Sequence, residues 1–164
     1  MPTSNLAIWP AIVTLIDAVH PKSVLDVGPG YGKGGTLVRE YCRSVETIDA
    51  VEAWEDYVTA RMICIYDQVF HDDVCRWPTE RLGDYDLVLM SEVIEHLEKP
   101  DGLDLLDRIP GYVVITTPME FFDNGPNLPP TETHRSLWSI GDFGDRVEAD
   151  ASMLGGVVVR LARR

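Results

Sequence analysis

Positive charge is scarce in this chain. Its 164 residues hold 14 Lys and Arg against 27 Asp and Glu, a formal net charge of −13. That balance argues against a nucleic-acid partner, because each neutralised backbone phosphate needs a Lys or Arg. The one local basic cluster, Arg160, Arg163 and Arg164, reads as a solvated tail. Cysteines are few and odd in number. Cys42, Cys64 and Cys75 lack zinc-type spacing, so reduced thiols in a cytoplasmic protein are the simplest expectation. No apolar run approaches the ~20 residues of a membrane span. The apolar N-terminal stretch has no basic region and contains Asp17, unlike a signal peptide. There is no internal repeat or linker, so residues 1–164 are expected to form one domain.

What the chain does have is glycine in a particular place. The stretch from Ser23 begins with the apolar run Val24-Leu-Asp-Val27 and then turns on three alternate glycines, Gly28, Gly30 and Gly32. The run suits a buried parallel strand. The residues from Thr36 to Tyr41 read as the helix that follows. Strand, glycine turn and helix start make a corner that accepts a ligand closely, because glycine takes positive φ and carries no Cβ. The spacing narrows the ligand. A dinucleotide fold wants G-x-G-x-x-G, but position 33 is Lys; a P-loop wants Gly-Lys followed by Ser or Thr, but Lys33 precedes Gly34.

Helical spacing of Leu6, Trp9, Val13, Ile16 and Val19 predicts a first helix over about 9–19, with Pro10 in its first turn and Pro21 beyond its end. Strands are expected at 23–28, 45–52, 65–70, 86–90 and 112–116. Helices are expected at 32–42, 54–63 and 103–109, with a helical turn within 77–82 and Pro100 breaking a helix or turn begun at Glu92. The stretch 118–133, rich in Pro, Gly and Asn, is long for a compact domain and is a candidate functional loop. A helix over 136–143 and two strands, 146–153 and 156–162, joined at Gly155-Gly156, complete the chain. Alternating strands and helices imply an α/β fold with a parallel sheet covered on both faces, closed by a C-terminal antiparallel hairpin.

The run Leu25-Asp-Val-Gly-Pro-Gly-Tyr-Gly32 resembles motif I of the class I S-adenosylmethionine (SAM) dependent methyltransferases. The run from Asp84 to Leu97, ending Ser-Glu-Val-Ile-Glu-His-Leu, resembles their strand-four region, and Tyr112 to Pro118 resembles their strand five and its exit. The likeness covers nearly the whole chain. It implies a Rossmann-like sheet of seven strands, SAM as cofactor, and a methyl acceptor that the sequence does not name, expected to be a small molecule.

The resemblance also implies a cofactor site. Gly28, Pro29, Gly30 and Gly32 would form the loop under SAM, with Asp26 orienting it or reaching the methionine amino group through water, and Tyr31 covering the same moiety. Glu52 stands about twenty residues past the glycines, where a carboxylate accepts ribose hydroxyls; Asp49 is its competitor. Asp73 would accept from the adenine amine, with Val74 packing on the ring. Ser91 and Glu92 would contact the methionine part. His96 and His134 are the candidate general bases, since His titrates near neutrality, and the 118–133 loop, His134 and Trp138 would wall the acceptor site. No metal is expected on this account. The alternative is that Glu92, Glu95, His96 and His134 hold a divalent cation, a set that resembles the metal-dependent small-RNA 2′-O-methyltransferases. A SAM-binding partner subunit without catalysis is a further alternative. A Rossmann oxidoreductase is disfavoured by the glycine spacing.

Overall fold

A computed structural model describes residues 4–120, 129–153 and 156–164. Seven strands form one sheet: β1 (Ser23–Val27), β2 (Thr47–Glu52), β3 (Gln68–His71), β4 (Leu87–Ser91), β5 (Tyr112–Pro118), β6 (Val147–Asp150) and β7 (Gly156–Leu161). Their order across the sheet is β3-β2-β1-β4-β5-β7-β6. The first five pair in parallel, and β7 runs antiparallel between β5 and β6. The strand order reverses between β1 and β4, and that is where a doubly wound sheet opens a crevice at its carboxyl edge.

The strands are apolar because both faces are covered. Leu25 and Val27, Val88 and Met90, and Val113 and Ile115 point into one core, while Val24, Leu87, Leu89 and Val114 point into the other. This is the period of two expected of a strand. Helices α1 (Trp9–Asp17) and α2 (Lys33–Tyr41) carry the second core, supplying Ile12, Leu15, Ile16 and Val38. Helices α3 (Thr79–Leu82) and α4 (Lys99–Arg108) carry the first, with Leu82, Leu105 and Leu106, joined by Trp77 and Trp138. Among the described residues no helix is long and apolar enough to cross a membrane.

Three expectations need correction. Residues 54–63 form no α-helix but two 3-10 turns, Glu55–Tyr57 and Met62–Cys64. The Glu52 carboxylate takes the Trp54 amide at 2.8 Å, and Val58 between the turns is extended, so no continuous ladder can form. Pro100 begins α4 rather than breaking a helix, because its missing N–H falls in the first turn, where no intrahelical partner exists. The helix expected over 136–143 gives way to an irregular run in which Ser136 and Trp138 are buried and Leu137 and Ser139 exposed, then a 3-10 segment, Ile140–Arg146, since Ser136 and Trp138 turn their polar atoms inward to Ile94 and Leu97. The core of the 118–133 loop, residues 121–128, and part of the turn expected at Gly155-Gly156 lie outside the described residues.

Candidate active site

A cleft of about 530 Å³ opens at the carboxyl edge of the sheet. It is lined by Asp26 within β1 and Gly28, Pro29 and Gly30 after it, Glu52 at the end of β2, Asp73 and Val74 after β3, Ser91 at the end of β4 and Glu92, Glu95 and His96 after it, with His134 from beyond β5. Thirteen of the expected cofactor and catalytic residues were named from the sequence, and only Tyr31 and Gly32 do not face this cleft. Tyr31 is 43% exposed and packs edge-on against Tyr57, which does line it. Gly32 serves packing: it is left-handed at the cap of α2, and a Cβ there would lie 2.7 Å from Ile65 Cδ1.

Under the glycine turn, Asp26 is buried and accepts the Tyr66 hydroxyl at 2.7 Å. Burial pushes its carboxyl up to about 7, against the pull of Tyr66. At Gly28, φ is +60° and a Cβ would meet Val93 Cγ2 at 2.8 Å, so the turn tolerates no larger residue there.

Glu52 is buried at the end of β2 and receives the Trp54 amide. Burial raises its pKa, while the amides of Trp54, Gly30 and Ala53 oppose the rise. It is therefore an acceptor held ready at the cleft floor. Its competitor Asp49 is committed elsewhere: it accepts from the Gln68 amide at 3.0 Å and the Tyr85 hydroxyl at 2.8 Å. The Asp73 carboxylate caps a short 3-10 turn through the Cys75 amide, and Val74 is buried beside it. Asp72, which also lines the cleft, is bound to the Trp77 indole and the Asp73 amide.

After β4 the backbone is strained. Glu92 has φ of +57°, uncommon for a residue with a side chain. Its amide bonds the Thr116 carbonyl and its carboxylate takes the Thr116 hydroxyl at 3.0 Å. Burial raises its pKa. Ser91 Oγ sits 3.1 Å from Thr116 Oγ1 and 3.0 Å from Ser4 Oγ.

Glu95, His96 and His134 bring one ligand atom each within 4.8 Å of one another. The Glu95 carbonyl accepts the amides of both Arg135 and Ser136, at 2.7 and 3.1 Å, and that clamp seats His134 against His96, their ring centroids 5.0 Å apart. Glu95 is buried, and neither carboxylate oxygen has a hydrogen-bond partner. Burial, then the Glu92 charge, pushes it up to about 8, against the pull of its own backbone amide and of the Thr117 hydroxyl, neither of which reaches hydrogen-bond geometry. Burial lowers the pKa of both imidazoles, and at His134 the neighbouring His96 lowers it further. Glu92 stands outside this trio. Trp138 does not wall the site as expected; it is 2% exposed, stacked on Phe143 in the core.

The structure adds residues that the sequence did not single out: Ser4, Trp9, Lys33, Tyr57, Asp101 and Arg135 all face the cleft, as does Glu132 from the end of the loop expected to wall the acceptor site. Only Lys33, immediately after the glycine triplet, had a local signal. Counting the described lining, nine carboxylates (Asp26, Glu52, Asp72, Asp73, Glu92, Glu95, Glu98, Asp101, Glu132) face two cations, Lys33 and Arg135.

No family model matches the chain, and no curated protein does. Solved structures do match. An O-methyltransferase family protein from Burkholderia thailandensis superposes with a TM-score of 0.68 at 13% identity, over 96% of this chain and 55% of its own. The N-terminal domain of EvdMO1, solved with SAH bound, gives 0.68 at 14% identity, over 98% of this chain and 82% of its own. The methyltransferase domain of bacterial CtHen1-CN gives 0.65 at 18% identity, over 96% and 100%. The chain has the class I methyltransferase fold. It spans about half the length of the Burkholderia protein.

Proposed function

We propose that this chain is a SAM-dependent methyltransferase acting on a small-molecule acceptor, with residues 1–164 as one catalytic domain. The observation that supports it is the order of the cleft: Asp73 and Val74 after β3, Glu52 on β2, the glycine turn after β1, and Ser91 and Glu92 after β4, along adjacent strands. A flat base, a diol-bearing sugar and a polar arm fit that row in that order. The donors and acceptors suit SAM: Glu52 is a buried acceptor for hydroxyls, Val74 is apolar beside an acid, and Gly28 leaves its backbone bare.

When bound, SAM supplies a methyl already activated on a sulfonium. The protein's work is to hold and orient. Glu52 fixes the sugar; Ser91 and Glu92 fix the methionine part; Asp26 stiffens the loop from below. His96 and His134, pushed toward their neutral forms, are available at neutral pH to take a proton from an acceptor hydroxyl. Three free cysteines without zinc-type spacing support a reducing compartment, the cytoplasm, as its location. Calorimetry with SAM and S-adenosylhomocysteine tests the assignment: micromolar binding is expected, and dissociation constants above about 1 mM would overturn it. Transfer of labelled methyl to any acceptor in a cell extract separates an enzyme from a binding-only subunit.

A second reading has its own observation. The two partnerless oxygens of buried Glu95, beside two imidazoles biased to the neutral form, make a donor set for a divalent cation. Glu95, His96 and His134 would hold it, and it would supply positive charge to an acceptor hydroxyl. The net charge still favours a small acceptor over a long nucleic acid.

A further inference from the structure

The cleft is short of positive charge, and its two cations stand in different places. Arg135 belongs to the histidine end, where it pairs with Glu98 at 3.5 Å. Lys33 belongs to the other end. It is the first residue of α2, directly after the glycine turn, and its Nζ donates to the Ser4 carbonyl at 3.2 Å and lies 5.6 Å from the Trp9 ring centroid. Ser4 in turn meets Ser91 through its hydroxyl. The N-terminal segment and Lys33 thus close the β1–β4 side of the cleft.

SAM carries a sulfonium, an ammonium and a carboxylate. In a cleft lined by nine acids, the first two find opposite charge in many places. The carboxylate does not; it needs a cation, or it pays repulsion from its surroundings. Across the strand order β3-β2-β1-β4, base and sugar occupy the β3 and β2 ends, which leaves the methionine arm to β1 and β4. Among the described residues Lys33 is the cation there.

We propose that Lys33 binds the carboxylate of the methionine arm, with the Ser4–Ser91 hydroxyl pair beside it, so that the N-terminal segment is part of the cofactor site. This assignment rests on the SAM reading above. An ammonium on a flexible stem has three donors, so it shares itself between the Ser4 carbonyl and a carboxylate.

The test compares SAM with decarboxylated SAM by calorimetry, on the wild-type protein and on Lys33→Met and Lys33→Gln. The two ligands differ only in the carboxylate. Wild type is expected to prefer SAM by ~10–100-fold, the worth of a charged hydrogen bond. Both variants are expected to lose that preference by weakening SAM while leaving decarboxylated SAM within about twofold. Equal affinity of wild type for the two ligands overturns the proposal without any variant. So does a variant that retains the preference, or that weakens both ligands alike. If wild type binds neither ligand, the SAM reading itself fails, and this assignment with it.

Discussion

The Tyr66 hydroxyl stands 2.7 Å from Asp26 Oδ2 and accepts the Gly35 amide at 3.2 Å. One oxygen therefore ties β1, the approach to β3 and the first turn of α2 together beneath the glycine turn. The fit is close: a Cβ on Gly35 would lie 2.4 Å from Tyr66 Cε1. Tyr66→Phe keeps the ring and removes the tie, leaving the Asp26 carboxyl and the Gly35 amide without this partner. It is expected to cost about 1–3 kcal/mol in urea denaturation. Stability equal to wild type would show that the hydroxyl is dispensable.

Asp26 gives the protein a pH dependence of known sign. Burial sets its folded pKa at about 7, against 3.8 for an ordinary aspartate. Between those values the folded chain keeps a proton that the unfolded chain has released. Stability from this group therefore falls as pH rises from about 4 to about 7, and is level above. Asp67 and Asp86, whose pKa values are lowered chiefly by backbone amides, act the other way, and only in more acidic solution, where their contribution is lost as pH falls. Asp26→Asn should lessen the slope between pH 5 and 7 by on the order of a few kcal/mol across the window, while Glu95, Glu52 and Glu92, also raised by burial, keep the remainder. Unfolding free energies measured at both pH values, in wild type and variant, check it.

Glu52 and Asp49 separate binding from folding. Glu52→Gln is expected to weaken SAM about 10–100-fold, because an amide replaces the charged acceptor at the cleft floor. Asp49→Ala should leave SAM affinity of the folded protein within about threefold. It should destabilise the fold by about 1–3 kcal/mol, since the Gln68 amide and Tyr85 hydroxyl lose their acceptor. Calorimetry and denaturation on the same two variants decide it; the opposite pattern would exchange the roles.

The cation reading makes a thermal prediction. Manganese or zinc in excess should raise the melting temperature of wild type, because a ligand bound only to the folded state stabilises it. Glu95→Gln and His134→Ala should melt at the same temperature with and without the metal. A wild-type melting temperature indifferent to manganese, zinc and magnesium would remove the reading.

The parallel sheet was legible because its strands are short apolar runs between turn residues, and the position of Glu52 at the cleft was legible because its distance from the glycines is set by one helix and one strand. Less was visible where side chains, rather than periodicity, decide the backbone. The Glu52 carboxylate interrupts the segment after β2, and Trp138 is drawn into the core by the Ile94 carbonyl and Ser136. Neither interaction leaves a pattern along the chain. Ser4 is the extreme case: it reaches Ser91 across a sequence separation of 87, and no local signal announces it. Trp138 looked like a wall of the site because it is a large aromatic near a histidine; its neighbour Gly102, where a Cβ would sit 2.7 Å from Trp138 Cζ2, is the vacancy that admits it to the interior.

The carbonyl of Glu95 fastens Arg135 and Ser136 from outside the loop that precedes them. His134 is therefore held in part from the strand-four side. A different segment ahead of Thr133 would still meet that clamp, so the wall of the cleft could change while Arg135 and Ser136 stayed fastened to the end of strand four.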